Sequence, residues 1–259
     1  MVNGDFIFND KHSLHDMGLI TEIVSMPLFA EPKTTYDDLP GTDGELNFSV
    51  ANPKNRLCFK PRIIELQCHF AEESHNPAML MERISSLASW LASDVDGSLY
   101  FDDDSDFYYT AHAANLFNIE RITDFSCTFP LVFKCDPFKY KLPVVLLEEV
   151  SAVGTLEVPF SNGGYYCPVT MMVYCSASGG FSVYNTRFPD KILTINHQGT
   201  DDVPIIIDTD KMSVTFNRGS ILHKCEGDFF ELAPGDNTLV FSSPNSNISA
   251  EVFFGERYL

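Results

Sequence analysis

Polar and apolar positions alternate with period two along most of this chain and adopt a helical period only once. Leu80, Ile84, Leu87, Ala88 and Leu91 fall at helical spacing, with Glu82, Arg83, Ser85, Ser86 and Ser89 largely off that stripe. Asn76 is placed to cap the first turn and Pro77 fits the first helical position, so the pattern predicts a helix over 77–92. A helix of this length cannot stand alone and needs a sheet to lie on. Strand candidates surround it at 6–8, 19–28, 56–70, 97–101 and 107–115. The clearest alternation puts Phe125, Cys127, Phe129, Leu131, Phe133 and Cys135 on one face. Pro130 in that run cannot donate to a ladder, which predicts a sheet edge, and Asp136-Pro137 predicts its end. In 56–70 the apolar face changes parity near Pro61, which predicts a bulge or bend.

Residues 141–158 read as a connector with its own apolar run at 144–147, and the domain boundary is expected there. Beyond it the pattern is short strands and turns: 169–175, 181–184, 191–196, 203–207, 212–216, 229–232, 238–241 and 248–254. Regular strands with such punctuation predict an antiparallel sandwich. The expected fold is thus mainly β with one amphipathic helix. It has two domains: 1–142, a β-sandwich plus helix, and 143–259, a second antiparallel β-sandwich.

Composition narrows the function. The chain has 17 Lys and Arg against 36 Asp and Glu, a formal charge of −19. That argues against nucleic-acid binding, which needs clustered bases, and against adhesion to anionic membranes. No apolar run reaches the length of a membrane span, and the first residues lack the basic-then-apolar pattern of a secretory segment. The seven cysteines are widely spaced and sit mostly in apolar runs, so they are expected to be reduced core residues.

The candidate chemistry is thin. Asp102, Asp103, Asp104 and Asp106 form an acidic turn, but the glycine and distal glutamate of a calcium loop are missing, and a solvated hairpin turn is expected. His12 and His15 lie three apart in a loop, without further metal-ligand spacing. There is no nucleophile elbow, phosphate loop or dinucleotide fingerprint. No catalytic residue, metal or cofactor is expected. Tyr165, Tyr166, Tyr174 and Tyr184 are the candidate platforms for stacking a sugar ring, each more commonly a packing residue.

An ordered set of local motifs resembles the distal tail (Dit) family of long-tailed, non-contractile phages, the siphovirus tail components. The set starts with Phe6-Ile7-Phe8-Asn9, Met17-Gly18-Leu19 and the loop Leu39-Pro40-Gly41-Thr42-Asp43-Gly44. Thr42 stands where the family usually has a basic residue. The helix segment from Ile84 to Leu91, the run Gly97-Ser98-Leu99-Tyr100-Phe101 and Cys135-Asp136-Pro137-Phe138 continue the series. Ile207-Asp208-Thr209-Asp210-Lys211, Asn217-Arg218-Gly219 and Phe229 through Asn237 complete it.

The resemblance implies a structural hub of the tail tip, or baseplate, in the virion, built in the host cytoplasm and without enzymatic activity. It implies a homo-hexameric ring closed by the first domains, between the tail tube protein and the tail-associated hub or lysin protein. The second domain would be galectin-like and could hold receptor-binding proteins. DNA would pass through the ring without being bound. Interface residues are expected at Leu39, Pro40, Gly41, Thr42, Asp43 and Gly44, and at Asp102, Asp103, Asp104 and Asp106. The alternatives are a carbohydrate-binding tail module that contacts the host surface and a cell-wall hydrolase, for which no motif speaks.

Overall fold

The computed structural model describes residues 4–38, 40–41, 43–52, 55–92, 95–114, 120–121, 127–141, 144–146 and 152–259. The chain is mainly β with one α-helix, and it forms two compact units, residues 1–140 with Leu259, and residues 141–258.

In the first unit the strands are β1 (Phe6–Phe8), β2 (Lys11–His12), β3 (Leu19–Ser25), β4 (Tyr36–Asp38), β5 (Glu45–Asn47), β6 (Arg62–Phe70), β7 (Gly97–Phe101), β8 (Phe107–Ala113), β9 (Glu120–Arg121) and β10 (Cys127–Lys141). The main sheet runs β2-β1-β7-β8-β10-β6-β3, with β9 beside β10. It curls until its ends approach, where Gly4 N–H donates to Thr21 O at 3.0 Å. Helix α1 (Pro77–Leu91) covers one face. Its Asn76 cap accepts Met79 N–H at 2.9 Å, as the sequence predicts, and Pro77 opens its first turn.

The helix buries Leu80, Leu87 and Leu91, with Ile84 partly buried, but Ala88 is exposed and Trp90 takes its place on the inner face. Trp90 decides how the helix sits. Its ring stacks on Phe6 at 5.7 Å and meets Phe8 edge-on, and its Nε1–H donates to Phe8 O at 2.8 Å. Phe133 joins both phenylalanines at 5.1 and 5.3 Å. The indole thus contributes both apolar area and a satisfied buried donor.

Several boundaries differ from the sequence reading. Strand β6 begins only after Pro61; Leu57 is exposed and Phe59 makes a single bridge to Pro32, so the parity change marks the strand's start and not a bulge within it. Strand β10 continues through Asp136-Pro137 to Lys141. It is also an interior strand, with Pro130 opposite Gln67 of β6. The sheet tolerates that proline because β10 changes partner around it: Cys127 and Thr128 pair with β9, while Val132 O accepts Ala114 N–H. Pro130 falls between the two pairings, where a missing donor interrupts neither ladder. Cys127, Phe129, Leu131, Phe133 and Cys135 are all buried; Phe125, like Ser93 and Asn115, lies outside the described residues.

The second unit contains β11 (Val144–Leu146), β12 (Ala152–Asn162), β13 (Thr170–Cys175), β14 (Phe181–Asn185), β15 (Ile192–Ile195), β16 (Ile205–Asp208), β17 (Ser213–Phe216), β18 (Gly219–Ser220), β19 (Cys225–Gly227), β20 (Gly235–Phe254) and β21 (Arg257–Tyr258). The connector of the sequence reading is therefore largely strand; Leu147 lies outside the described residues. Strand β20 organises the unit. Its first part lies between β12 and β14, its last part between β11 and β13. Leu239 and Phe241 are buried at odd positions, Ile248, Ala250, Val252 and Phe254 at even ones. The register against β12 shifts between Val153 and Thr155, so a bulge lets one strand serve two halves that share one core. The sequence reads as two strands here because the alternation breaks where the bulge lies. The expected strand over 229–232 is absent except for a Leu232–Cys167 bridge.

Buried amides fix the turn into β20. Asn237 Oδ1 accepts from Ala233 N–H and from Asn185 Nδ2, and its Nδ2 donates to Ala233 O and Gly235 O. Asn162 Nδ2 donates to Tyr165 O and Ala233 O. Such satisfied amides replace solvent for a loop that passes inside. Gly180 and Gly227, both at positive φ, lie against Ile195 O and Ile192 O, where a Cβ would overlap the carbonyl.

Trp90→Ala is expected to destabilise the first unit by about 3–5 kcal/mol, read by denaturant unfolding followed by near-ultraviolet circular dichroism. A loss below about 1 kcal/mol would contradict the role given to the indole.

Candidate functional site

A projecting arm leaves the first unit after β3 and returns at β6. Its stem is tied by Lys33 N–H to Cys58 O at 2.7 Å, Lys60 N–H to Glu31 O at 2.8 Å and the Pro32–Phe59 bridge. Lys60 Nζ also donates to Glu31 Oε1 at 2.7 Å. Strands β4 and β5 continue it as a hairpin, Tyr36 opposite Asn47 and Asp38 opposite Glu45. At its base the Arg62 side chain is buried, with Nε donating to Pro137 O and Nη1 to Pro27 O, its guanidinium over the Tyr109 ring. Phe59 meets Phe138 edge-on at 5.8 Å. The arm's root is thus fastened to β10.

The arm itself has almost no interior. Between residues 31 and 60 only Ser49 is buried among the described residues. Ser49 Oγ accepts Thr35 N–H and supports the turn after β5. Among the described residues, ten of the first unit's thirteen exposed large apolar side chains lie between Ile20 and Ile63. Leu28 is 88% exposed and Phe29 58%, and Tyr36, Leu46, Phe48 and Val50 face solvent along the hairpin. Monomeric proteins scatter such residues singly; one segment that collects them is a candidate contact surface.

The expected interface loop is the tip of this arm. Pro40, Gly41, Asp43 and Gly44 are exposed there, with Gly41 and Gly44 at positive φ; Leu39 and Thr42 lie outside the described residues. The second expected patch is a short 3-10 turn at Asp102–Asp104 joining β7 to β8. The structure does not leave it wholly to solvent. His12 Nε2 contacts Asp102 Oδ2 at 3.1 Å, while His12 Nδ1 accepts the Leu14 and His15 N–H groups. Lys139 Nζ donates to Asp104 Oδ2 at 2.7 Å and lies 4.1 Å from the Phe107 ring centroid. Asp103 and Asp106 remain exposed. The two patches are on different elements, and no contact joins them among the described residues. Sequence reasoning picked out the arm's turn formers but missed its apolar flanks, although Leu46, Phe48 and Val50 alternate in plain view.

The other candidates fall into packing roles. Tyr165 and Tyr166 meet edge-on at 5.3 Å, Tyr166 packs on Phe188, and the Tyr174 hydroxyl lies 3.5 Å from Glu251 Oε1. Tyr184 is half-buried within β14. The His12 and His15 rings lie 4.4 Å apart, tilted by 41°. All seven cysteines are free; burial pushes the Cys68, Cys135 and Cys167 thiols up to about 12, whereas Cys58 is exposed on the arm's stem. In the second unit burial raises the Glu256 pKa. Hydrogen bonds from the Tyr258 hydroxyl and Gly163 N–H, with Lys141 nearby, outweigh it and hold the carboxyl below its usual range.

Two family models match the chain and together cover well over half of it. The siphovirus-type tail component, C-terminal domain, matches residues 162–258, and the phage tail protein RIFT-related domain matches residues 25–135. The chain belongs to the siphophage distal tail protein (Dit) family. As a Dit-family chain it is a baseplate component of the virion, a structural tail protein and not an enzyme. Dit (gp 19.1) of phage SPP1, described as a paradigm of hub adsorption apparatus in Gram-positive infecting phages, has the same fold. It is 16% identical, with both chains covered over 100% and a TM-score of 0.76. A chain of the phage P2 baseplate in its activated conformation with Ca is 9% identical over 97% of this chain and 98% of that one, at a TM-score of 0.48. No curated protein matches the sequence.

Two outcomes are expected. A thiol reagent should label Cys58 in the free native chain quickly, and Cys68, Cys135 and Cys167 only on unfolding; fast labelling of any of these three would contradict the buried placement. Glu256 has a folded pKa below its unfolded value. Its stabilisation is therefore complete above roughly pH 4.5 and is lost as pH falls through the folded value. Glu256→Gln should flatten the acid limb of the second unit's stability against pH, and an unchanged limb would remove the network's role.

Proposed function

We propose that this protein is the distal-tail hub that closes a homo-hexameric ring at the tip of a non-contractile tail. The first unit, with residues 1–142 as its functional span, forms the ring; residues 143–259 form the module that carries other baseplate parts. The ring would lie between the tail tube protein and the tail-associated hub protein. The single observation that carries this reading is the arm: a hairpin and its flanks that leave Leu28, Phe29, Tyr36, Leu46, Phe48 and Val50 exposed. A ring is a set of heterologous contacts that closes under rotation, so each copy must offer one patch and receive another. The arm, with Leu39, Pro40, Gly41, Thr42, Asp43 and Gly44 at its tip, is the offered patch. Asp103 and Asp106, with the ion-paired Asp102 and Asp104, belong to a second, polar contact.

A charge of −19 per chain favours a ring whose wall repels DNA and lets it pass. The carbohydrate-binding alternative rests on one feature, a pocket of about 270 Å3 lined by Tyr174, Asp201, Ser249, Ala250 and Glu251. Its tyrosine hydroxyl is turned towards Glu251. Glycan binding lost in Tyr174→Ala would favour it.

Native mass measurement and electron microscopy of the purified chain, alone or with its neighbouring tail proteins, test the main reading. A six-fold annulus is expected. Leu46→Asp with Phe48→Asp should abolish it and leave the melting temperature within a few degrees of wild type, because neither side chain belongs to the buried core. An annulus that survives both substitutions would show that the arm does not close the ring.

A further inference from the structure

The second unit carries a basic edge in an otherwise acidic chain. Residues 211–224 include Lys211, Arg218 and Lys224 and no Asp or Glu, against a net charge of −19 overall. They form the hairpin β17–β18, turned by Asn217 and Arg218 at positive φ, and the short 3-10 turn that follows. Strand β18 ends the sheet. Ile221 N–H bonds Val214 O, so the alternation of an antiparallel ladder turns the Ser220 N–H and C=O away from β17. Met212, just before β17, and Leu222, which opens the 3-10 turn after β18, are 58% and 43% exposed.

The charges around this edge do not cancel. Lys211 is balanced by Asp208 at 3.1 Å, and Asp210 lies 3.9 Å from Arg257. Arg218, exposed at the hairpin tip, makes no ion pair among the described residues. Lys224 Nζ donates not to an acid but to His197 Nδ1, at 3.0 Å, and His223 is exposed beside it. The His197 pKa is lowered, chiefly by burial, with smaller contributions from Lys224 and His223.

We propose that the β17–β18 edge is a docking surface for an acidic, extended polypeptide segment of a partner tail protein. This rests on the assembly reading above. Acidic side chains of the segment would meet Arg218, Lys224 and His223, its apolar side chains would cover Met212 and Leu222, and its backbone would add to the sheet at Ser220. The two apolar anchors and the open strand edge favour a polypeptide over a phosphate polymer, which would need neither.

The test uses the full chain with two probes, a synthetic peptide alternating Glu and Val, and poly(glycerol phosphate). The peptide should bind, with an affinity that falls as salt rises. Arg218→Glu, alone and with Lys224→Glu, should weaken it by roughly tenfold or more. Met212→Ser with Leu222→Ser should also weaken it, and poly(glycerol phosphate) should bind less well. Melting temperatures report folding, and Arg218→Gln replaces any reversal that misfolds. Peptide binding insensitive to these substitutions would overturn the proposal. So would tighter binding of poly(glycerol phosphate) that ignores Met212→Ser and Leu222→Ser, which would make the edge a phosphate-polymer site. Ring formation is read separately on the same samples: a wild-type chain that binds peptide but forms no ring defeats the assembly reading alone, and a ring without peptide binding defeats this one alone.

Discussion

A two-stranded hairpin has no interior. Its strands hydrogen-bond to each other, but both of its faces meet water unless something else covers them. Every large apolar residue placed on such an element costs about 25 cal/mol for each Å2 it leaves exposed, relative to its buried state. This chain places Tyr36 and Leu46 on one hairpin, Phe48 and Val50 just after it, and Leu28 and Phe29 before its stem. The constraint is what motivates the proposal that the surface completing the arm's burial belongs to another molecule. Exposed apolar surface of this kind fits the structural tail protein that the family match identifies.

The rest of the first unit makes the arm's position definite. Trp90 bonds to the backbone of β1, stacks on Phe6 and meets Phe8 edge-on, so the helix cannot slide over the curled sheet without breaking a buried hydrogen bond. Arg62, the first residue of β6, grips carbonyls at Pro27 and Pro137 and ties both the departing chain and β10 to the arm's return. The arm therefore projects from a fixed root. In the second unit the same economy of means appears in β20, whose bulge lets one strand serve two halves, and in Asn237, whose amide satisfies a loop that water does not reach.

Much of this was legible in the residues. Period-two runs locate most strands, and the Asn76-Pro77 cap locates the helix start, because these signals are local. What was not legible depended on partners distant in sequence. Pro130 reads as an edge because a missing donor is visible and a change of ladder partner is not. Ala88 and Trp90 exchange roles because helical spacing alone does not say which side of the stripe meets Phe6 and Phe8. The break in β20 reads as a loop because a bulge and a turn disturb alternation alike. For the candidate site, turn formers such as Pro40-Gly41 announced the arm's tip. Its exposed flanks looked like ordinary strand residues, since exposure is a tertiary property.

The central claim is that the arm's apolar faces are covered only on assembly. Hydrogen exchange across residues 31–60, compared between the free chain and purified tails, tests it most directly. The account predicts fast exchange in the β4–β5 hairpin of the free chain and strong protection in the tail. Equal exchange in the two states, with protection gained elsewhere in the first unit, would contradict it.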